Sequence, residues 1–252
     1  MRITFLGTGT SQGVPIINCN CPVCTSTNPK NKRMRCSVMI ETGHSNILID
    51  TSIDMYQQFI AYHFDRIDAI LYTHAHADHI FGLDELRRFN RMQKEVIPVY
   101  GNAETMTRIR QVFDYALNDG TFISGIPNIT ANSIDTEFKI KDIKIIPIPL
   151  MHGKDQIFGY RIGNIAYCTD VNFIPEESYQ FLHNLDILVL GALREKKHPR
   201  HFNVEEAIAE MNKIKAKQTY FTHISHKLDH EKHGRDLPPS CSFAYDGLSI
   251  EI

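Results

Sequence analysis

The stretch Thr73–His79, with the sequence THAHADH, constrains this chain more than any other because it carries four side chains able to bind a metal. It follows the apolar run 67–72, which predicts a short buried strand. In extended backbone His74 and His76 point to the same side, so the two can share one ion. Asp78 and His79 lie beyond the bend and can reach a second ion. Imidazole and carboxylate ligands suit zinc, manganese or iron.

Further candidate ligands follow other predicted strands. His152 comes after the apolar run 143–151, Asp170 ends the strand 165–169, and His223 ends the strand 219–222. A carboxylate at such a strand end can bridge two cations that lie about 3.5–4 Å apart. A lone histidine is more often structural, so His152 and His223 need support from elsewhere.

A second cluster contains Cys19, Cys21 and Cys24. Three thiols this close together favour metal binding over a disulfide framework. They would supply three ligands of a tetrahedral zinc site, and the fourth would come from a distant part of the chain. The alternative interpretation is a reduced and inert group of thiols.

The bulk composition limits the class of protein. A chain of 252 residues, 42% of them hydrophobic, can bury a large core, and we expect one α/β domain over residues 1–252. The formal net charge of −2 does not suggest a general polyanion binder. No apolar run reaches the roughly 18 residues of a membrane span, and no signal-peptide pattern opens the chain. Together with the cysteine cluster, this predicts a cytoplasmic protein.

Periodicity predicts an alternation of helices and strands. The stripe formed by Met106, Ile109, Val112 and Phe113 is typical of core packing, and Asn203 with Glu206 forms a plausible capping pair. The polar segment 118–135 is expected to be a loop. Helices are expected at 53–62, 83–89, 103–117, 175–183 and 203–214, and strands at 2–6, 67–72, 95–100, 137–149, 157–162, 165–169, 186–190 and 218–221.

The histidine motif resembles the signature of the metallo-β-lactamase superfamily. The chain also resembles the PhnP-type phosphodiesterases of that superfamily over nearly its whole length, through the GTGTSQGVP stretch from Gly7, the cysteine cluster, the THISH end at 222–226 and the AYDGL stretch at 244–248. The resemblance implies a four-layer αββα sandwich with sheets inside and helices outside.

The resemblance also implies how the ligands are shared. It assigns one ion to His74, His76 and His152, a second ion to Asp78, His79 and His223, and Asp170 to both. It completes a structural zinc site formed by Cys19, Cys21, Cys24 and His226. Asp50 is left with two interpretations, a buttress of the histidine motif or a helix N-cap.

The predicted chemistry is phosphodiester hydrolysis. Two divalent cations, zinc or manganese, would make hydroxide available near neutral pH, and an alkoxide leaving group would need a proton. His201 resembles the histidine that related phosphodiesterases place near the leaving group, with His198 as the weaker candidate. The catalytic candidates are therefore His201 and Asp78. The resemblance implies a small substrate, a cyclic phosphate of ribose, which no residue by itself specifies.

Three rival functions use similar residues. A tRNA 3′-processing endonuclease would share the ligands but normally carries a basic arm, and no insertion here resembles one, so nucleic acid is not the expected substrate. A thioester or lactone hydrolase of the glyoxalase II kind would not need His201. A cofactor-biosynthesis protein of the PqqB type also has a cysteine cluster. The oligomeric state is left open, with a homodimer as one option.

Overall fold

Two seven-stranded β-sheets form the centre of the computed structural model, which describes all 252 residues. The strands are β1 (Arg2–Gly7), β2 (Ser37–Glu41), β3 (Asn46–Ile49), β4 (Ala69–Leu71), β5 (Ile97–Gly101), β6 (Ile129–Ser133), β7 (Phe138–Ile140), β8 (Ile143–His152), β9 (Asp155–Ile162), β10 (Ile165–Cys168), β11 (Ile187–Gly191), β12 (Gln218–Thr222), β13 (Cys241–Phe243) and β14 (Ser249–Glu251). The first sheet has the order β14-β1-β2-β3-β4-β5-β6 and the second the order β13-β12-β11-β10-β9-β8-β7.

The helices connect these strands. No helix combines the length and the apolar character that crossing a membrane requires. The α-helices are α1 (Pro22–Thr25), α2 (Met55–Tyr62), α3 (Ala77–Ile80), α4 (Leu86–Gln93), α5 (Ala103–Val112), α6 (Val204–Ile214) and α7 (His230–Gly234), and 3₁₀ turns lie at Pro29–Asn31, Leu83–Glu85, Asp114–Ala116 and Glu176–Phe181.

Three apolar cores separate four layers. The central core packs the two sheets against each other, with Phe5 of β1 and Tyr160 of β9 among its members. A second core fills the space between the first sheet and α2, α4 and α5, and includes Met106 and Ile109. A third lies between the second sheet and α6, and includes Met211. The αββα sandwich is therefore confirmed, and so is the core-packing role of the α5 stripe.

The sheets are also joined by hydrogen bonds beside the histidine motif. The hydroxyl of Tyr160 donates to the carbonyl of Tyr72 at 2.7 Å. The backbone N–H of Phe158 donates to the carbonyl of Thr73 at 3.0 Å. Tyr72 and Tyr160 are almost fully buried, so these bonds satisfy polar groups that water cannot reach. They hold the end of β4 at a defined distance from the second sheet.

Several predicted element bounds were wrong for tertiary reasons. The expected loop 118–135 contains β6, whose parallel pairing with β5 places it at a sheet edge. The expected strand 137–149 is a hairpin that turns at Lys141, which has a φ of 54°. The segment 175–183 forms a 3₁₀ turn, and the helix expected to reach 117 ends at Val112. The capping pair at Asn203 was right, and both of its hydrogen bonds are present.

Asp246 fastens the N-terminal loops to the end of the chain. Its carboxylate accepts hydrogen bonds from the hydroxyl of Thr8 at 2.7 Å and from the backbone N–H of Met34 at 2.6 Å. Buried Arg33 also donates to Thr8. Burial raises the pKa of Asp246 to about 7, against the effect of these hydrogen bonds and of the Arg33 charge.

This raised pKa predicts a pH-dependent stability. A folded-state pKa near 7, above the ordinary 3.8, means that the contribution of Asp246 is complete below about pH 4 and is lost as the pH rises through about 7. The unfolding free energy of the natural protein should therefore fall by a few kcal/mol relative to Asp246→Asn over this window, at about 1.4 kcal/mol per pKa unit. Urea unfolding of both proteins across the window measures the difference, with exposed Asp142→Asn as the control. Parallel curves for the natural protein and Asp246→Asn would contradict the assignment.

Candidate metal centre

Five strand ends bring the predicted ligands to one edge of the sandwich. Asp50 follows β3, the histidine motif follows β4, His152 ends β8, Asp170 follows β10 and His223 follows β12. Three of these residues, Asp50, Asp170 and His223, have positive φ values of 62°, 55° and 57°. Such conformations cost about 1 kcal/mol or more for a residue with a side chain, and they tend to occur at functional sites. Here each one turns a side chain toward the same point immediately after a strand.

His74, His76 and His152 form the first half of the site. Their ligand atoms lie within 4.8 Å of one another, and His74 Nε2 is 2.9 Å from His76 Nδ1. Nδ1 of His152 donates to the carbonyl of Arg200 at 2.8 Å, which leaves Nε2 free. Burial lowers the pKa of His152 and lowers that of His74 well below its usual range. Both rings are therefore neutral near pH 7, the state in which imidazole binds a metal.

Asp78, His79 and His223 form the second half, with Asp170 between the halves. Nε2 of His79 lies 3.2 Å from Asp78 Oδ2 and 3.2 Å from Asp170 Oδ2, and Nε2 of His223 lies 3.1 Å from Asp170 Oδ1. Burial alone would raise the pKa of Asp170, but the His223 and His79 charges outweigh burial and hold it well below its usual range. The carboxylate of Asp170 is therefore ionised and able to bind cations.

Asp50 buttresses the histidine motif. Its carboxylate accepts hydrogen bonds from the backbone N–H and the hydroxyl of Thr73, both at 2.8 Å, and Oδ2 lies 2.7 Å from His79 Nδ1. Helix α2 begins after Asp54 instead, so the alternative role of Asp50 as its N-cap is wrong. Because Asp50 occupies Nδ1 of His79, the free Nε2 faces the site. That buried Nε2 has no hydrogen-bond partner, as the donor atom of a metal ligand would.

His201 lies closer to the ligands than the sequence suggested. Its Nδ1 is buried without a hydrogen-bond partner, 3.5 Å from Asp170 Oδ1, and its ring stacks on His223 with centroids 4.7 Å apart. Its ligand atom also groups with those of His152 and Asp170 within 4.8 Å. Burial and the charge of His223 lower the pKa of His201 to about 3. His198 stands farther out, with its ring centroid 5.0 Å from that of His201.

The cysteine cluster meets His226 at a second centre. The sulfur atoms of Cys19, Cys21 and Cys24 lie 3.3, 3.4 and 3.6 Å from His226 Nδ1. All six cysteines of the chain are free thiols. Three sulfurs and one imidazole nitrogen that face one point match the donor set of a structural tetrahedral zinc site. His226 and His223 share one loop, so this centre lies beside the other.

Some contacts in the site carry no signal in the sequence. The group that holds His152 is a backbone carbonyl, and any residue at position 200 has one. The sulfur of Cys36 lies 3.8 Å from His223 Nδ1. Cys168 is buried in the third core. His230 and His233 are half-buried, and His230 Nδ1 lies 3.1 Å from an Arg33 nitrogen.

Comparisons with known proteins agree with this geometry. The family model described as the beta-lactamase superfamily domain matches residues 45–224. A solved structure described as a new diphosphatase from the PhnP family has a TM-score of 0.93 and 42% identity, covering 100% of this chain and 97% of that chain.

Two curated relatives are longer than the matched region. An octanoyltransferase from Porphyromonas gingivalis is 36% identical over 257 residues, which cover 100% of this chain and 52% of that protein. A ribonuclease Z from Clostridium acetobutylicum is 29% identical over 138 residues, which cover 51% of this chain and 44% of that protein. The chain therefore spans about half the length of the first of these, and its match to the second covers less than half of that protein.

Proposed function

Because this chain belongs to the metallo-β-lactamase superfamily and, within it, to the PhnP type, we propose that it is a dinuclear metal-dependent phosphodiesterase acting on a small substrate. Members of this family are metal-dependent hydrolases. The observation that carries the proposal is the meeting of two groups of side chains at the carboxylate of Asp170. A carboxylate in that position suits a bridge between two cations.

The candidate ligands divide between two ions according to the positions of their donor atoms. His74, His76 and His152 would hold one ion, Asp78, His79 and His223 would hold the other, and Asp170 would contact both. Zinc or manganese fits this mixture of imidazole and carboxylate. When bound, the two ions would supply Lewis-acid activation of the phosphorus and of a water molecule. Asp50 keeps His79 aimed at the site through Nδ1, and the carbonyl of Arg200 does the same for His152.

His201 is proposed to give a proton to the leaving oxygen, with Asp78 as the other catalytic residue. The His201 ring contacts both His152 and His223, with centroids 4.7 Å from each, so it would lie beside a phosphodiester bound at the metals. An alkoxide is a poor leaving group, and a positioned acid typically contributes about 10²–10⁴-fold. Since His201 is neutral in the free protein, the negative charge of a bound phosphate would have to raise its pKa first.

The substrate is proposed to be a small phosphodiester, with a cyclic phosphate of ribose as the preferred case. The loop that carries His201 offers the charge of Arg194 to a phosphate, while Lys197 and Arg200 already pair with Glu206 and Asp155. The PhnP-family neighbour is named a diphosphatase, so a diphosphate linkage is the nearest alternative bond. Both substrates would place a negatively charged phosphoryl group at the metals.

A tRNA-processing function is the second candidate because a ribonuclease Z is among the relatives. It would need a surface that grips tRNA, and the net charge of −2 does not favour one. A thioester hydrolase is the third candidate, and it would leave His201 without a task.

One substrate panel separates these functions. Protein of measured metal content would be given a bis-aryl phosphate, a cyclic nucleotide, a ribose cyclic phosphate, a diphosphate, an octanoyl thioester and a precursor tRNA. We expect the small phosphodiesters to be cleaved fastest, and chelation to abolish cleavage. Preferential cleavage of the thioester or the precursor tRNA would overturn the proposal.

The cysteine cluster and His226 are proposed to hold a structural zinc ion, and the thiols point to a reducing compartment such as the cytoplasm. Cys24→Ser should remove one bound metal per chain and lower the unfolding free energy by at least about 2 kcal/mol, because metal binding is coupled to folding. Elemental analysis and urea unfolding measure both effects. Cys241→Ser is the matched control, since Cys241 is equally buried but packs in the third core and does not group with the cluster. Unchanged metal content in Cys24→Ser would exclude the site.

We also propose that residues 1–252 act as one hydrolase domain, because the same PhnP-family neighbour covers the whole chain. The longer relatives contain parts that this chain does not match. A homodimer is the oligomeric state to test, by light scattering of the purified protein.

A further inference from the structure

Arg200 joins two parts of the site through different groups. Its carbonyl accepts the hydrogen bond from His152 Nδ1 at 2.8 Å, and its Nη2 lies 2.7 Å from Asp155 Oδ2. Asp155 begins β9 and is the cross-strand partner of His152 in the β8–β9 hairpin. The hairpin and the neighbouring loop are therefore joined at two points, by the Asp155–Arg200 ion pair and by the hydrogen bond from His152 to the Arg200 carbonyl.

The hairpin turn is shaped around the Arg200 side chain. Gly153 has a φ of +68°, and a Cβ built on it would lie 3.0 Å from Arg200 Nε. The Arg200 side chain thus lies close against the turn, where the left-handed φ favours glycine. The contact holds the loop against the hairpin at the position just before His201.

The other side of His201 is held independently. The backbone N–H of Phe202 donates to the carbonyl of Val171 at 2.7 Å, and Asn203 caps α6. Only the Arg200 side of the loop depends on Asp155. Loss of the Asp155 charge would therefore loosen His201 and the carbonyl bonded to His152 together, while the rest of the loop stays in place.

We propose that the Asp155–Arg200 ion pair is a positioning pair that sets both the orientation of His152 and the placement of His201. The inference rests on the proposed function, because it takes His152 as a metal ligand and His201 as the proton donor. Both side chains of the pair are only half-buried, at 39% and 44% exposure. A half-exposed pair of this kind contributes little to the stability of the fold, so we expect its loss to change metal binding and catalysis instead.

The test uses Asp155→Asn and a charge reversal, Asp155→Arg with Arg200→Asp, made singly and together. Metal affinity is measured on the metal-free protein by competition with a zinc chelator, and kcat and KM on alkyl and aryl phosphodiesters. Outer partners of metal-bound histidine typically contribute about 10–100-fold in affinity or activity. We expect a loss of this size in the affinity for one ion, a lower kcat for the alkyl ester, little change in KM, and substantial recovery in the double reversal.

The control is Glu95→Gln, which breaks the similarly exposed Arg66–Glu95 pair before β4 and β5 and should change none of these values. Natural affinity in Asp155→Asn would overturn the proposal. A double reversal that binds zinc as weakly as the single variants would also overturn the proposal. Asp155 borders the small cleft beside His76, and that result would mean that Asp155 acts there directly and not through Arg200. The affinity measurement needs no substrate, so a protein that hydrolyses nothing would refute the proposed function while leaving this test decisive.

Discussion

Asparagine in place of Asp170 should reduce hydrolysis by about 10³-fold or more and remove at least one bound ion per chain. The Asp170 carboxylate reaches both halves of the site. It groups within 4.8 Å with the ligand atoms of His74 and of His152 in the first half, and it lies 3.2 Å from His79 Nε2 and 3.1 Å from His223 Nε2 in the second. Asparagine has nearly the same shape and tolerates the left-handed backbone at this position. The substitution therefore removes the charge while keeping the fold.

The measurement combines kcat/KM on a bis-aryl phosphate with elemental analysis of the same sample. Asp186→Asn is the control, because Asp186 pairs with Lys217 and Asn164 away from the site. Activity within about ten-fold of the natural protein, with both ions retained, would show that Asp170 does not bridge them.

Alanine in place of His201 should slow the hydrolysis of alkyl phosphodiesters by about 10²–10⁴-fold and that of activated aryl esters far less. An aryl oxide leaves without a proton, whereas an alkoxide needs one. Because His201 lies only 3.5 Å from Asp170, the competing role is that of a metal ligand. A lost ligand would lower the metal content and slow both esters alike.

His198→Ala is the matched control, since that ring lies next to His201 but does not group with Asp170. We expect it to change the alkyl-to-aryl ratio by less than about three-fold. If His201→Ala loses an ion and hydrolyses both esters with the same relative loss, the proton-donor role is wrong and His201 belongs to the ligand set.

The sequence by itself determined which side chains could meet and at which strand ends they stand. The histidine motif after β4, the carboxylate after β10 and the histidine after β12 could be found because strand periodicity and residue type are local properties. The αββα fold came from a resemblance to a known family, and the two packed sheets confirm it. The capping box of α6 could also be predicted from the sequence, because its two residues are only three positions apart.

Only the tertiary structure decided what surrounds those side chains. The choice between N-cap and buttress for Asp50 depended on where β3 lies relative to β4, and the pairing of β6 depended on a neighbour distant in the chain. Residue type alone indicates neither the hydrogen bond that the Arg200 carbonyl accepts from His152 nor the 3.5 Å distance between His201 and Asp170. Backbone groups are the same at every position, and distances between remote segments arise only when the layers pack. For that reason residue patterns can identify candidate ligands, while packing sets their orientation and their partners.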